Sequence, residues 1–232
     1  MKLPAPVSDV LELVFPRLCV VCEGALLAEE NHVCMTCLNL MPRFSAREEE
    51  RKAVEKLFYA RLPFEFIVAY FAFDKKARVQ RLMHAIKYRE NPELARWVGR
   101  LLGHQMLEEQ NEWPVDWIVP VPLHPRKLRQ RGYNQSAWFA RGLAEVLHKP
   151  VREEAAQRVV NTRSQTGMNK TRRWENVKEA FSCPTSLEGL KILLVDDVLT
   201  TGATLEACGK ALVKAGATAV SVAVMASAFG HD

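Results

Sequence analysis

No stretch of these 232 residues is long and apolar enough to read as a membrane span. The longest apolar runs, 66–73 and 217–228, are too short or too rich in small residues. Residues 1–16 lack the basic start, apolar middle and small-residue cleavage site of a secretory signal, so a cytoplasmic protein without membrane insertion is expected. There is no low-complexity tract, and the only internal repeat is a doubled Cys-x-x-Cys. No helix-turn-helix pattern supports a transcriptional regulator. A large excess of one charge is missing too, the net charge being +5. With 48% hydrophobic and 25% charged residues, the composition is that of an ordinary globular chain, long enough for one α/β domain and a small appendage.

The placement of charge says more than its sum. Basic residues crowd into 126–131 and 163–173, while acids dominate 48–50 and 108–112. Two basic loops suit phosphate-bearing ligands, from a nucleotide to a nucleic-acid backbone; a solvated basic surface is the plainer alternative.

Periodicity supplies the elements. Val7, Val10, Leu11 and Val14 recur at helical spacing before Pro16, and 45–56 reads as a linker or an exposed helix. Strands are expected over 66–73, 117–121, 191–195 and 220–225. Helices are expected over 75–88, from Asn91-Pro92 to about 109, over 134–147 and over 201–215, with Gly216 as a left-handed cap. Strands alternating with helices imply parallel βαβ units in a doubly wound sheet, an α/β fold.

The most informative segment runs from Ile192 through VDDVLTTGAT to Thr204. An apolar strand ends in Asp196 and Asp197, and a turn rich in Thr and Gly then opens a helix. A helix N-terminus presents unpaired backbone N–H groups and the positive end of its dipole. Gly202 lets the chain approach a phosphate, Thr200, Thr201 and Thr204 add hydroxyl donors, and Ala203 completes the turn. The acids repel a phosphate, so they suit vicinal ribose hydroxyls, or Mg²⁺ held on a pyrophosphate. A capped helix with no ligand is the alternative, although capping requires one such residue rather than five around a glycine.

Cys19-x-x-Cys22 and Cys34-x-x-Cys37 stand eleven residues apart. Four thiolates in two tight pairs can surround a structural Zn²⁺ tetrahedrally, with no open position for catalysis. Two disulfides, a redox pair or no metal are the other readings. His32 precedes the second pair and could replace a ligand, but is expected to be a nearby exposed histidine. Cys183 and Cys208 read as buried small apolar residues.

With LVFPRLCVVC, IKYRENPELA, VPVPLHPRKLRQRGYNQS, RSQTGMNKTRRWENVKEAF and VDDVLTTGAT in this order, the chain resembles the ComF family across almost its whole length. The resemblance implies a small N-terminal zinc ribbon (1–45), a linker or hood-like segment (46–65) and a type I phosphoribosyltransferase domain (66–232). It also implies a site for phosphoribosyl pyrophosphate (PRPP). Asp196 and Asp197 would hold the ribose as the catalytic pair, and 200–204 would hold the 5′-phosphate. Pro122, Arg126, Lys127, Arg129 and Arg131 would form the pyrophosphate loop, whose cations offset charge on a departing pyrophosphate; a basic surface loop is the alternative. Arg163, Ser164, Gln165, Thr166, Arg172 and Arg173 fall in a segment faintly similar to the mobile lid of amidophosphoribosyltransferases; an ordinary exposed connection is the other reading. The family is linked to DNA uptake and natural transformation. Two functions are therefore expected to compete: phosphoribosyl transfer to an acceptor that 48–66 does not announce, and a non-catalytic nucleotide- and single-stranded-DNA-binding module that meets other uptake proteins. For the second, the aromatic platforms are sparse, namely Tyr133, Trp138 and Trp174.

Overall fold

Two strands carry long apolar runs, 192–195 and 219–226. In the computed structural model they lie at the centre of a four-stranded parallel sheet: β5 (Lys191–Leu199) and β6 (Ala219–Ser227). The structure describes residues 16–44, 58, 62, 64–73, 77–88, 91–158 and 180–229. The apolar spacing at 7–14, the linker at 45–56 and the basic segment at 163–173 lie outside these residues.

The elements in chain order are α1 (Met35–Leu40), β1 (Ile67–Ala72), α2 (Arg78–Tyr88), α3 (Pro92–Glu109), β2 (Trp117–Pro120), α4 (Pro125–Arg131), α5 (Gln135–Leu147), β3 (Gln157–Arg158), β4 (Phe181–Ser182), β5, α6 (Ala203–Lys214) and β6. The large sheet has the order β1-β6-β5-β2, with Leu194 opposite both Val119 and Val222. Both of its faces are covered, which explains runs such as ILLV and AVSVAVMA in place of apolar–polar alternation. One face packs Phe71, Leu82, Leu94, Leu102, Phe139 and Leu143 from β1, α2, α3 and α5. The other packs Leu205, Cys208 and Leu212 of α6 against Ile192, Leu194 and Val222. This is a doubly wound parallel α/β arrangement.

Helices α3 and α5 meet backbone to backbone. A Cβ on Gly142 would lie 2.0 Å from the Arg96 carbonyl oxygen, and one on Gly99 would lie 2.2 Å from that of Phe139. At the rim of this contact Glu145 accepts from both Arg96 and Arg100. Asn91 caps α3 by accepting from the Leu94 N–H, with Pro92 in the first turn.

The cysteine-bearing segment shares the core of the larger domain. Cys19, Val21, Val33, Cys37 and Met41 are buried in the same cluster as Phe71, Val79 and Leu82. Residues 42–44 run antiparallel beside β1: Ala72 N–H donates to Pro42 O at 3.0 Å and Phe44 N–H to Tyr70 O at 3.1 Å. That pairing covers an edge of the sheet.

Four details differ from the sequence expectation, the smallest being that Cys183 is half-buried rather than buried. The basic stretch 126–131 is not a loop but helix α4. Pro125 stands in its first turn, His124 Nδ1 accepts from the Arg126 N–H at its start, and left-handed Gly132 (φ 75°) ends it. Strand β5 does not stop at Val195; it runs through both aspartates to Leu199, because its hydrogen-bonded partner β6 is equally long. His32 is half-buried against Trp97, with ring centroids 5.9 Å apart, rather than exposed. As expected, Gly216 takes a left-handed conformation (φ 103°) after α6, and Cys208 is fully buried.

Candidate active site

Parallel strands of an open sheet leave their carboxyl ends, and the loops beyond them, as the natural place for a ligand. Here β2 ends at Pro120, opposite Val195 of the longer β5: the Val121 N–H donates to Val195 O at 2.8 Å, so the turn carrying Pro122 lies beside the acids. Asn134 clamps the same turn, its Nδ2 donating to Val121 O at 3.1 Å, while its Oδ1 accepts from the Ser136 N–H and caps α5.

The first turn of α5 then reaches both carboxylates. Ser136 Oγ donates to Asp196 Oδ1 at 3.0 Å, and the Asp197 N–H donates to the same oxygen at 2.8 Å. Gln135 Nε2 donates to Asp197 Oδ2 at 2.8 Å, and the Lys87 ammonium lies 3.1 Å from that oxygen. Gln135 is 3% exposed, and among the described residues its Oε1 has no hydrogen-bond partner. Burial, reinforced by the neighbouring Asp197 charge, pushes the Asp196 carboxyl up to about 7; its hydrogen bonds and the Lys87 charge oppose this only in part. The pair thus holds one acid that titrates near neutrality beside another that is paired with a cation.

Beyond the acids the tip of α6 is open. Gly202 (φ 72°) is its N-cap, and no side chain caps the first turn. Thr200, Thr201, Ala203 and Thr204 are exposed, while Gly202 and Leu205 are buried and anchor the turn. Unpaired backbone N–H groups and threonine hydroxyls therefore face solvent together. Glu206 would repel an anion here, but the Lys210 ammonium is paired with it.

Of the basic residues singled out from the sequence, Arg126, Lys127 and Arg129 are exposed on α4, and Arg131 lies with its guanidinium 5.5 Å from the Tyr88 ring centroid. Among the described residues none of the four is in a salt bridge. Tyr133, just beyond α4, donates its hydroxyl to the Ile86 carbonyl and so ties this region to the end of α2. Arg163, Ser164, Gln165, Thr166, Arg172 and Arg173 lie outside the described residues. Lys87, Gln135 and Ser136 were not singled out from the sequence. No spacing signal could have found them, because only the fold brings residues 60 to 110 positions apart to one pair of acids.

The four cysteines of the paired motif converge. Their sulfurs lie within 4.8 Å of one another, and Cys22 Sγ and Cys34 Sγ are 3.8 Å apart. Thiolates arranged tetrahedrally around an ion with bonds of about 2.3 Å stand about 3.8 Å apart, so the donor set fits a structural metal. Burial alone would raise the Cys19 thiol, but backbone N–H groups of Cys34, Cys22 and Val21 outweigh it and bring the thiol down to about 7. The Cys34 N–H lies 3.3 Å from Cys19 Sγ, and the Cys37 N–H 3.4 Å from Cys34 Sγ. None of the four is in a disulfide. Among the described residues no helix is long and apolar enough to cross a membrane.

Residues 134–229 match a family model described as a phosphoribosyl transferase domain. The DNA utilization protein YhgH of Escherichia coli K12 is 34% identical over 144 residues, covering 61% of this chain and 63% of that protein. The match thus spans less than two thirds of that relative's length. Competence protein F of Haemophilus influenzae is 27% identical over 217 residues, covering 88% of this chain and 94% of its own. Among solved structures, an allosteric regulatory enzyme of purine biosynthesis aligns with a TM-score of 0.43 at 21% identity, over 61% of this chain and 30% of its own.

Proposed function

We propose, for a chain that belongs to the ComF family and carries its phosphoribosyltransferase domain, that the carboxyl edge of the sheet binds PRPP and transfers its ribose 5-phosphate group. One observation carries this reading: the tip of α6, with no side-chain cap at Gly202, opens a few residues after two adjacent acids in the last half of β5. The 5′-phosphate would take the N–H groups and hydroxyls of 200–204. The vicinal hydroxyls would donate to Asp196 and Asp197, and the cations of α4 would face the pyrophosphate. In the reaction the bond from the anomeric carbon to pyrophosphate breaks, and a bond to the acceptor nucleophile forms. The sugar gains positive charge at the transition state, which two carboxylates beneath it stabilise.

Mg²⁺ fits the site by its donor chemistry, since it takes carboxylate and phosphate oxygens and Asp196 and Asp197 are the carboxylates at hand. It would neutralise the pyrophosphate. The four thiolates suit Zn²⁺, whose closed coordination makes it structural. The relatives' names, competence and DNA utilization, favour a role for this activity in DNA uptake or use.

The test is release of pyrophosphate from PRPP with Mg²⁺, with nucleobases, nucleosides and single-stranded DNA offered as acceptors. Release by the wild type that falls at least tenfold in Asp197→Asn supports transfer at this site. No release with any acceptor, alongside saturable DNA binding that Asp197→Asn leaves intact, would favour the non-catalytic module instead.

A further inference from the structure

Lys87 ends α2, and its ammonium lies 3.1 Å from Asp197 Oδ2. The same oxygen already accepts from Gln135 Nε2 at 2.8 Å. Two donors therefore fill one carboxylate oxygen, on side chains that are only 24% (Lys87) and 13% (Asp197) exposed. The end of α2 is also docked onto the basic helix. Tyr133 bonds the Ile86 carbonyl, and the Arg131 guanidinium stands over the Tyr88 ring. Lys87 thus sits where the acid pair and the end of α4 come together.

This placement has a chemical consequence. A vicinal diol that uses Asp197 Oδ2 as an acceptor has to take that oxygen from the ammonium. A half-buried ammonium gives up its counter-ion readily only when another anion replaces it. Ribose 5-phosphate brings no such anion, because its phosphate is the one held at the tip of α6. A ribose that also carries a pyrophosphate on the anomeric carbon does bring one, next to the diol.

Resting on the PRPP reading, we propose that Lys87 is the specificity-determining cation of this site. It passes from Asp197 to the ligand's pyrophosphate as the diol engages the acid, so the site selects pyrophosphorylated ribose over ribose 5-phosphate. No covalent step is involved; one ion pair is exchanged for another. Selectivity then comes partly from penalising the wrong ligand, which must break the Lys87–Asp197 pair without compensation.

Calorimetric titration of PRPP and of ribose 5-phosphate, both with Mg²⁺ at fixed ionic strength, tests this on wild type, Lys87→Met and Lys87→Arg. The wild type is expected to prefer PRPP by about tenfold or more, the value of a charge-assisted contact. In Lys87→Met, PRPP weakens while ribose 5-phosphate holds or tightens, and the preference shrinks to within about threefold. Lys87→Arg keeps most of it. Should Lys87→Met not fold, Lys87→Gln carries the same expectation. Equal weakening of both ligands would mark a merely structural ion pair and overturn the proposal, as would an unchanged preference. Gly202→Val separates the two levels of the argument. If the wild type binds neither ligand, the ribose site falls and the role of Lys87 with it. If it binds both and Gly202→Val loses both, a preference that survives Lys87→Met removes only the role of Lys87.

Discussion

Replacing Asp196 by Asn should change how the stability of the whole chain depends on pH. In the folded protein burial pushes this carboxyl up to about 7, with the Asp197 charge adding to it. In the unfolded chain it titrates near about 3.9. The proton is therefore held more tightly by the folded state, so this group makes stability fall as pH rises from about 4 to about 7. Above that window the folded chain bears the cost of a half-buried charge beside Asp197; below it both states are protonated. Between pH 5 and pH 8 linkage converts the shift into a loss of roughly 2–3 kcal/mol. Asn preserves the shape of the protonated acid and does not titrate, so the variant lacks this loss. Urea unfolding at pH 5, 6, 7 and 8 measures it as the difference between wild type and Asp196→Asn, in which titrating groups away from the acid pair cancel. The wild type should lose ground steadily against the variant as pH rises. Parallel profiles would refute the claim that the half-buried Asp196 is desolvated beside a second charge.

Other perturbations follow from the same contacts. Purified protein should contain about one zinc per chain by elemental analysis. Because Cys19 and Cys37 lie in the core that also holds Phe71 and Leu82, stripping the metal should lower the main thermal transition rather than melt a separate module; an unchanged transition after extraction would contradict this. Gly142→Ala places a methyl 2.0 Å from the Arg96 carbonyl, forces α3 and α5 apart and should cost about 3 kcal/mol in urea unfolding. A cost below about 0.5 kcal/mol, the range of neutral surface changes, would mean that the two helices do not touch there.

Much of this arrangement could be read before the fold was known, for physical reasons that differ from element to element. Strands alternating with helices along the chain declared a parallel sheet, and its burial on both faces accounts for the runs ILLV and AVSVAVMA. The Gly202 turn was legible because few other arrangements place Thr and Gly between two acids and a helix. Helix α4 escaped notice because none of its residues is buried, which leaves no apolar stripe; Pro125 and Gly132, which bound it, were the available signal. The extension of β5 through Asp196 and Asp197 ran against local propensity and is set by its pairing with Val224 and Ala226 of β6. Lys87, Gln135 and Ser136 had no sequence signal at all, since each acquires its role only when α2 and α5 close over the end of β5. The packing of the cysteine segment into the larger core was hidden for the same reason: Val21 and Val33 look like residues of a small module until Leu82 is seen beside them.

Phosphorus NMR of ribose 5-phosphate mixed with the protein probes the helix tip itself. The wild type should shift or broaden the 5′-phosphate resonance in a saturable way. Gly202→Val, whose side chain is strained at a φ of 72° and fills the approach to the backbone, should leave the resonance as it is in buffer. A resonance untouched by the wild type, or perturbed equally by both proteins, would contradict the assignment of this turn as a phosphate site.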